Sequence, residues 1–272
     1  MQDAHNKIKE NINKTFDNVA KNYDKNEQFI ISAKKIVEFI PHDENETFSI
    51  LDLSTGTGNI AIELAKNYKN ATICAVDISE KMLNIAKDKT KALNINNITF
   101  YQQDVENLRL TNNEFDIVTC GYGLFFYPNM DETYKNICNI IKPNGKFIFS
   151  SFTEDAFNPY TNIFLDLLKN SYSIEPPKRL ENRLLKTVKE VKELAIIGNP
   201  KDIDVKHFQI RYPLSIDEWW SLLNSTGYEG LLSQLNENYD NFKDAYIENL
   251  NRVTMNSKIE HNADTLFTIV TI

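Results

Sequence analysis

The chain has 272 residues, enough to bury a sizeable core as one large α/β domain with an elaboration. At 42% hydrophobic and 25% charged its composition is that of a globular protein, and no apolar run approaches the ~20 residues of a membrane helix. A formal charge of −8 argues against nucleic acid as the main partner, because phosphate binding needs a basic face.

The N-terminal stretch (Asp3, Lys7, Lys9, Glu10) lacks the apolar core of a signal peptide, so the cytoplasm is the expected compartment. Residues 3–40 read as helical: Phe16, Val19, Ala20 and Tyr23 share one face, and Ile30, Ile31, Ile36, Val37 and Ile40 continue the spacing. Pro41 and the acidic residues after it close this segment. Phe48 to Leu53 is a short apolar run of the kind a buried parallel strand needs, followed by the bare turn Ser54-Thr55-Gly56-Thr57-Gly58 and a helix to about Lys69. Ala71 to Val76 is a second strand ending in Asp77, Glu80 to Leu93 a helix, Ile98 to Gln102 a third strand followed by Asp104. Phe115 to Cys120 makes a fourth strand, Met130 to Ile141 a helix, and Lys146 to Phe152 a fifth strand after the turn Pro143-Asn144-Gly145.

Beyond Thr153 the rhythm breaks. Pro159 to Tyr172 and Leu180 to Ile197 read as helices, His207 to Tyr212 as a strand, and Asp217 to Thr226 as a helix capped by Ser215 and ended by Gly227. Leu231 to Leu235 reads as a strand, Asp240 to Val253 as a helix, and Leu266 to Ile272 as a terminal strand. Four regions follow: 1–45, N-terminal helices over the site; 46–152, the cofactor-binding core; 153–212, a helical insertion or lid; 213–272, the return to the sheet. The insertion's apolar faces (Ile163, Phe164, Leu167 and Leu168; Leu184, Leu185, Val188, Val191 and Leu194) need cover, which a cap over the site or a second copy of the chain would give equally.

Strands alternating with helices imply right-handed crossovers, a doubly wound, mainly parallel sheet, and a ligand crevice off the carboxyl ends of the strands. The glycine turn, Asp77, Asp104 and the segment from Cys120 all fall at those ends. A strand feeding a helix through bare backbone lets a ligand come close and aims free N–H groups at it. Gly56-Thr57-Gly58-Asn59-Ile60-Ala61 satisfies the loose dinucleotide fingerprint, so the turn alone leaves a nicotinamide cofactor and another adenosine cofactor both open. Asp77, 19 residues after Gly58, is placed to accept a ribose diol, and Asp104 to accept an adenine amine. Cys74, Cys120 and Cys138 are too scattered for a disulfide framework or a zinc site, and no metal is expected.

Taken together, Asp52-Leu-Ser-Thr-Gly-Thr-Gly58, Val76-Asp77-Ile-Ser-Glu-Lys-Met82, Gln103-Asp104-Val105 and Ile141-Lys-Pro-Asn-Gly145 resemble the class I S-adenosylmethionine-dependent methyltransferases, most of all their ubiquinone/menaquinone-biosynthesis branch. Phe16-Asp-Asn-Val-Ala20-x-x-Tyr23-Asp24 resembles that branch's N-terminal segment. The resemblance covers residues 14–152 and implies a Rossmann-like sheet of seven strands with the last antiparallel. It also implies S-adenosylmethionine as cofactor and S-adenosylhomocysteine as product. It assigns Gly56 and Gly58 to the methionine part of the cofactor and Asp52 to ordering the loop and the cofactor's ammonium. Asp77 goes to the ribose, Ile78 or Met82 flanks the adenine, and Asp104 with Val105 reads it. Gly121 lies near the methionine end, and Tyr23 closes over the cofactor. Ser54 stands where the family more often has glycine.

The expected reaction is in-line methyl transfer to a small-molecule acceptor, in which alignment supplies much of the acceleration. The rivals are a nicotinamide-dependent oxidoreductase and a non-catalytic S-adenosylmethionine-binding module. The stretch Gly121-Tyr122-Gly-Leu-Phe125-Phe126-Tyr-Pro128 lacks the Asn-Pro-Pro-Tyr-type signature of the amine- and amide-methylating members. Tyr122, Phe125 and Phe126 are therefore read as an acceptor pocket, or as packing of a helix start. His207 is the candidate base should the acceptor be an alcohol or phenol.

Overall fold

The computed structural model describes residues 2–41, 43–110, 114–175 and 184–272. The chain opens with α1 (Gln2–Val19), a 3-10 segment (Ala20–Lys25) and α2 (Glu27–Val37). Then β1 (Ser49–Leu53), α3 (Asn59–Asn67), β2 (Thr72–Asp77), α4 (Glu80–Ala92), β3 (Ile98–Gln102), β4 (Phe115–Gly121), α5 (Met130–Cys138) and β5 (Ile141–Phe152) alternate as expected. After these come α6 (Tyr160–Tyr172), α7 (Val188–Ile196), β6 (Asp202–Phe208), β7 (Arg211–Ser215), α8 (Ile216–Asn224), α9 (Glu229–Leu232), α10 (Tyr239–Val253), β8 (Lys258–Asn262) and β9 (Thr265–Thr271).

Seven strands form one sheet in the order β3-β2-β1-β4-β5-β9-β6. The first five are parallel, and β9 runs antiparallel between β5 and β6. Order and direction follow from side-chain pattern. Ile50, Leu51 and Leu53, like Ile117, Val118 and Cys120, are at most 1% exposed, as strands covered on both faces require. One face packs on α2 and α3 through Ile36, Ala61 and Leu64, the other on α5 and α7 through Tyr134, Ile137, Val191 and Leu194. Because every crossover returns the chain in the same direction, the carboxyl ends of β1, β2, β3 and β4 meet at one edge of the molecule.

A third cluster fills a cap beside this edge, with Phe164 and Leu168 of α6, Trp219 and Leu223 of α8, and Phe242, Tyr246 and Leu250 of α10. The two-stranded ribbon β7–β8 completes it. The range 153–212 is therefore not one insertion: α6 belongs to the cap, α7 lies on the sheet, and β6 is the sheet's edge strand. The alternation Asp202-Ile-Asp-Val-Lys206 marks a half-covered edge blunted by charge. Of 213–272, only β9 returns to the main sheet. Phe164 and Leu168 of α6 and Val191 and Leu194 of α7 are buried within the chain, while Leu184, Val188 and Ile196 stay exposed.

Some local expectations are corrected. Leu231–Leu235 is not a strand: Leu231, Leu232 and Leu235 share the buried face of α9 and the turn after it. The helix expected from Leu180 begins among residues outside the described ones and is seen as Val188–Ile196, started by a Thr187/Glu190 capping box. Ser215 and Glu218 form the capping box of α8. That helix ends at Asn224 rather than Gly227, with Ser225 and Thr226 hydroxyls donating to carbonyls of its last turn.

Candidate active site

Between β1 and α3 the backbone enters the left-handed region three times, at Ser54 (φ 50°), Gly56 (φ 57°) and Gly58 (φ 80°). The two glycines do different work. A Cβ on Gly56 would meet nothing within 4 Å, so its bare backbone faces open space in the crevice. A Cβ on Gly58 would come within 2.9 Å of the Ala86 Cβ, so its bareness lets α4 pack. Gly58 is set back from the cavity lining, against α4. Ser54 adopts a geometry that costs a non-glycine residue roughly 1–2 kcal/mol. Its hydroxyl pairs with the Tyr127 hydroxyl at 2.7 Å, a bond a glycine would lack.

Asp52 orders this turn from beneath. Its carboxylate accepts from the Thr55 Oγ1 (2.5 Å) and the Thr119 Oγ1 (2.7 Å), and it is fully buried. Burial pushes the carboxyl up to about 6. It does not reach the crevice, so only the loop-ordering half of its expected role has a structural basis.

Asp77 ends β2 and borders the crevice. Its Oδ2 accepts the Gly56 N–H (2.7 Å) and its Oδ1 the Ser79 N–H (2.8 Å), fixing the carboxylate over the turn. Burial pushes this carboxyl up to about 6 against those bonds. Ile78, Met82 and Val105 give the apolar walls alongside. Asp104 caps the turn after β3, accepting the Glu106 N–H (3.0 Å) and the Asn107 Nδ2 (2.9 Å).

Lys9 of α1 also lies here, unforeseen from the sequence. Its ammonium sits 2.6 Å from the Asp104 Oδ2 and 2.5 Å from a Glu106 oxygen. Burial opposes the charge on both Lys9 and Asp104. The bonds between them outweigh it, raising the lysine and holding the Asp104 carboxyl below its ordinary value. Ile12 and Phe16, one and two turns on, close the same wall. No local pattern separates this face of α1 from an ordinary amphipathic one.

At the far end, Gly121 leaves no room for a side chain: a Cβ would come 2.5 Å from the Ile60 Cδ1. Tyr122 follows with φ 54°, its ring stacked on Phe152 at 4.2 Å and its hydroxyl 2.8 Å from the Thr265 Oγ1. Tyr23 stacks on Phe29 at 4.5 Å and Phe16 meets Phe126 edge-on at 5.2 Å. Burial pushes the Tyr122 phenol up to about 12 and raises that of Tyr23 further, so both stay neutral donors.

The crevice thus gathers Tyr23, Ser54, Gly56, Asp77, Ile78, Met82, Asp104, Val105, Gly121, Tyr122 and Phe126 around a cavity of about 90 Å³. Small-molecule sites run to ~300–1,000 Å³. The cavity as it stands is smaller than a nucleoside and an acceptor together need. Phe125 is outside, packed 4.9 Å from the Phe126 ring. His207 is outside as well. It lies on the edge strand with its side chain 51% exposed, 3.6 Å from Asp264, and borders no part of the cavity.

The residues present fit S-adenosylmethionine. Open space at Gly56, a fixed carboxylate at Asp77, apolar walls and a second carboxylate at Asp104 match a methionine tail, a ribose and an adenine in that order. Fold and site together define a class I, Rossmann-like S-adenosylmethionine-dependent methyltransferase. The comparisons with known proteins agree. Residues 44–200 match the methyltransferase domain family. The chain is 36% identical over 151 residues to the ubiquinone/menaquinone biosynthesis C-methyltransferase UbiE of Rickettsia prowazekii, covering 53% of this chain and 61% of that one. It is 31% identical over 229 residues to the UbiE protein of Rickettsia akari, covering 80% and 84%. The first of these matches spans less than two thirds of the relative's length. The chain belongs to the methyltransferase domain family. In structure it is similar to the Haemonchus contortus phosphoethanolamine N-methyltransferase 2 solved with phosphomonomethylethanolamine and S-adenosylhomocysteine. The TM-score is 0.56 at 17% identity, covering 93% of this chain and 57% of that one, a likeness of fold. No described helix is long and apolar enough to cross a membrane.

Proposed function

We propose that the chain methylates a ring carbon of an uncharged, hydroxylated aromatic acceptor, a reading supported by relatives named as C-methyltransferases of ubiquinone/menaquinone biosynthesis. One observation carries this reading. The charged residues lining the crevice, Lys9, Asp77, Asp104 and Glu106, lie at its adenine and ribose end, while the end beyond Gly121 is walled by Tyr122, Phe126 and Phe16. An ammonium or phosphate acceptor would find no counter-charge there, and an aromatic ring would find stacking partners.

Asp77 would hold the ribose hydroxyls, Gly56 would admit the methionine tail, and Ile78, Met82 and Val105 would hold the adenine. Bound there, S-adenosylmethionine supplies an electrophilic methyl on a sulfonium. The chain's own part would be alignment: Tyr122 and Gly121 would seat the acceptor ring beside the methionine end, and the α1 wall would exclude water. The methyl that the cofactor would supply replaces a hydrogen on the ring carbon, whose proton would leave to solvent water. The neutral phenols of Tyr23 and Tyr122 orient oxygen atoms rather than take protons. The acidic balance of the chain supports a small molecule, not nucleic acid, as acceptor.

Transfer of labelled methyl from S-adenosylmethionine tests the reading, with 1,4-naphthoquinol, its oxidised quinone and phosphoethanolamine offered side by side. Label is expected in the quinol alone, on carbon. Label in phosphoethanolamine, or in none of the three, would overturn the acceptor assignment.

A further inference from the structure

The acceptor needs more room than the cavity of about 90 Å³ gives, and a seam of buried polar groups adjoins that cavity at Tyr122. Tyr122 borders the cavity on one side and on the other enters this seam, between α2, the carboxyl end of β5 and the β7–β8 ribbon of the cap. A strip of buried polar groups runs along this seam. The Ser32 and Ser150 hydroxyls adjoin the Tyr122 hydroxyl, and Gln28, one turn before Ser32 on α2, accepts from the Tyr212 hydroxyl at 2.6 Å. The Tyr212 ring lies 4.6 Å from that of His261.

Four members of the strip carry a buried polar atom with no hydrogen-bond partner: the Ser32 and Ser150 hydroxyls, the Gln28 Nε2 and the His261 ring. Gln28 is 0% exposed, and its Nε2 meets no acceptor. His261 is 1% exposed, and neither ring nitrogen meets a partner. Its surroundings are aromatic, with Phe157 at 5.5 Å and Trp219 at 5.7 Å. Burial pulls this histidine down to about 4, so it is neutral and offers one donor and one acceptor. Buried amide and imidazole nitrogens with nothing to bond cost stability, and each one in a native protein calls for a reason. The walls between them and Tyr122 are flat rings, Phe29, Phe152 and Phe157, able to part around another flat ring.

We infer that this seam is the acceptor site, in which the Gln28 Nε2 and the His261 imidazole hydrogen-bond the oxygen atoms of the acceptor ring. The inference rests on the function proposed above and goes beyond it by naming the groups that select a doubly oxygenated ring. It moves the acceptor away from Phe125 and His207 to the far side of Tyr122. Gln28 and His261 are positioning residues in this scheme.

The test sets stability against function. His261→Phe removes a buried imidazole with no partner and should melt no lower than wild type, Gln28→Leu also removes the acceptor of the Tyr212 hydroxyl and should melt somewhat lower, and both should bind S-adenosylhomocysteine unchanged. Each should raise the KM for 1,4-naphthoquinol at least tenfold. A second readout needs no turnover. Because Trp219 adjoins His261, 1,4-naphthoquinol added to the S-adenosylhomocysteine-loaded protein should quench tryptophan emission. The quench should be lost in His261→Phe and in Trp219→Phe. Unchanged KM in both variants overturns the seam while leaving the proposed reaction standing. Absence of any quench in wild type overturns the seam too, and if labelled methyl also fails to reach the quinol, the proposed acceptor falls with it.

Discussion

Asp77 gives the sharpest quantitative test of the cofactor site. Its two carboxylate oxygens are engaged, one by the Gly56 N–H and one by the Ser79 N–H, so Asp77→Asn must turn its amide nitrogen toward one of those donors. The lost charge-assisted bond costs about 1.5–3 kcal/mol. The substitution also removes a buried charge. Raising the carboxyl from 3.8 to about 6 means that its ionisation costs the fold about 3 kcal/mol at neutral pH. The two effects nearly cancel, and the melting temperature should stay within roughly 5 °C of wild type. Cofactor binding has no such compensation. A ribose hydroxyl loses its ionised acceptor, about 1.5–3 kcal/mol, so titration calorimetry should show S-adenosylhomocysteine bound roughly ten- to a hundred-fold more weakly. The sign with pH follows from the raised value. The Asp77 proton favours the fold most below 3.8, and this preference is lost as pH rises through about 6. Wild-type affinity should therefore be flat above about pH 6 and fall below it, whereas the Asn variant should show no such fall. Wild-type affinity in a folded Asp77→Asn protein, or affinity independent of pH down to 5, would refute the reasoning.

Gly56→Ala and Gly58→Ala should separate the two glycines. The Gly58 variant clashes with Ala86 and should lose stability by about 2 kcal/mol or more in denaturant titration, and the Gly56 variant by about 1. Only Gly56→Ala should lose cofactor affinity beyond its loss of stability. Lys9→Met frees an Asp104 oxygen for the adenine amine and unfastens α1, so stopped-flow S-adenosylhomocysteine association should accelerate about tenfold and lose its salt dependence; a slower association would reject the lysine as a latch. The His261 value lies near 4 against 6.5 in the unfolded chain, so its contribution to stability is full above 6.5 and lost as pH falls toward 4. Relative to wild type, His261→Phe should accordingly gain about 3 kcal/mol between pH 6.5 and 4 in chemical denaturation, and a constant difference would contradict the neutral buried imidazole.

Much of the fold was legible because it is written locally. Continuous apolar runs such as Ile50–Leu53 and Ile117–Cys120 demand cover on both faces, and a strand, a bare turn and a helix are neighbours along the chain. The parallel direction of the strands then carries Gly56, Asp77, Asp104 and Gly121 to one edge, whatever the loops between them do. What the sequence could not decide is what lies across a gap. Lys9 and Asp104 are 95 positions apart, and only the seating of α1 on the core brings them within 2.6 Å. Gly56 and Gly58 share a turn and a positive φ, yet one faces open space and the other Ala86 of α4. His207 and His261 sit in similarly polar stretches. The first falls on a half-covered edge strand and the second beneath Trp219 and Phe157, because the cap draws its elements from both sides of β6. Spacing along one segment sets which side chains share a face. Burial and partners come from how separate faces pack together, and that is decided by the tertiary structure alone.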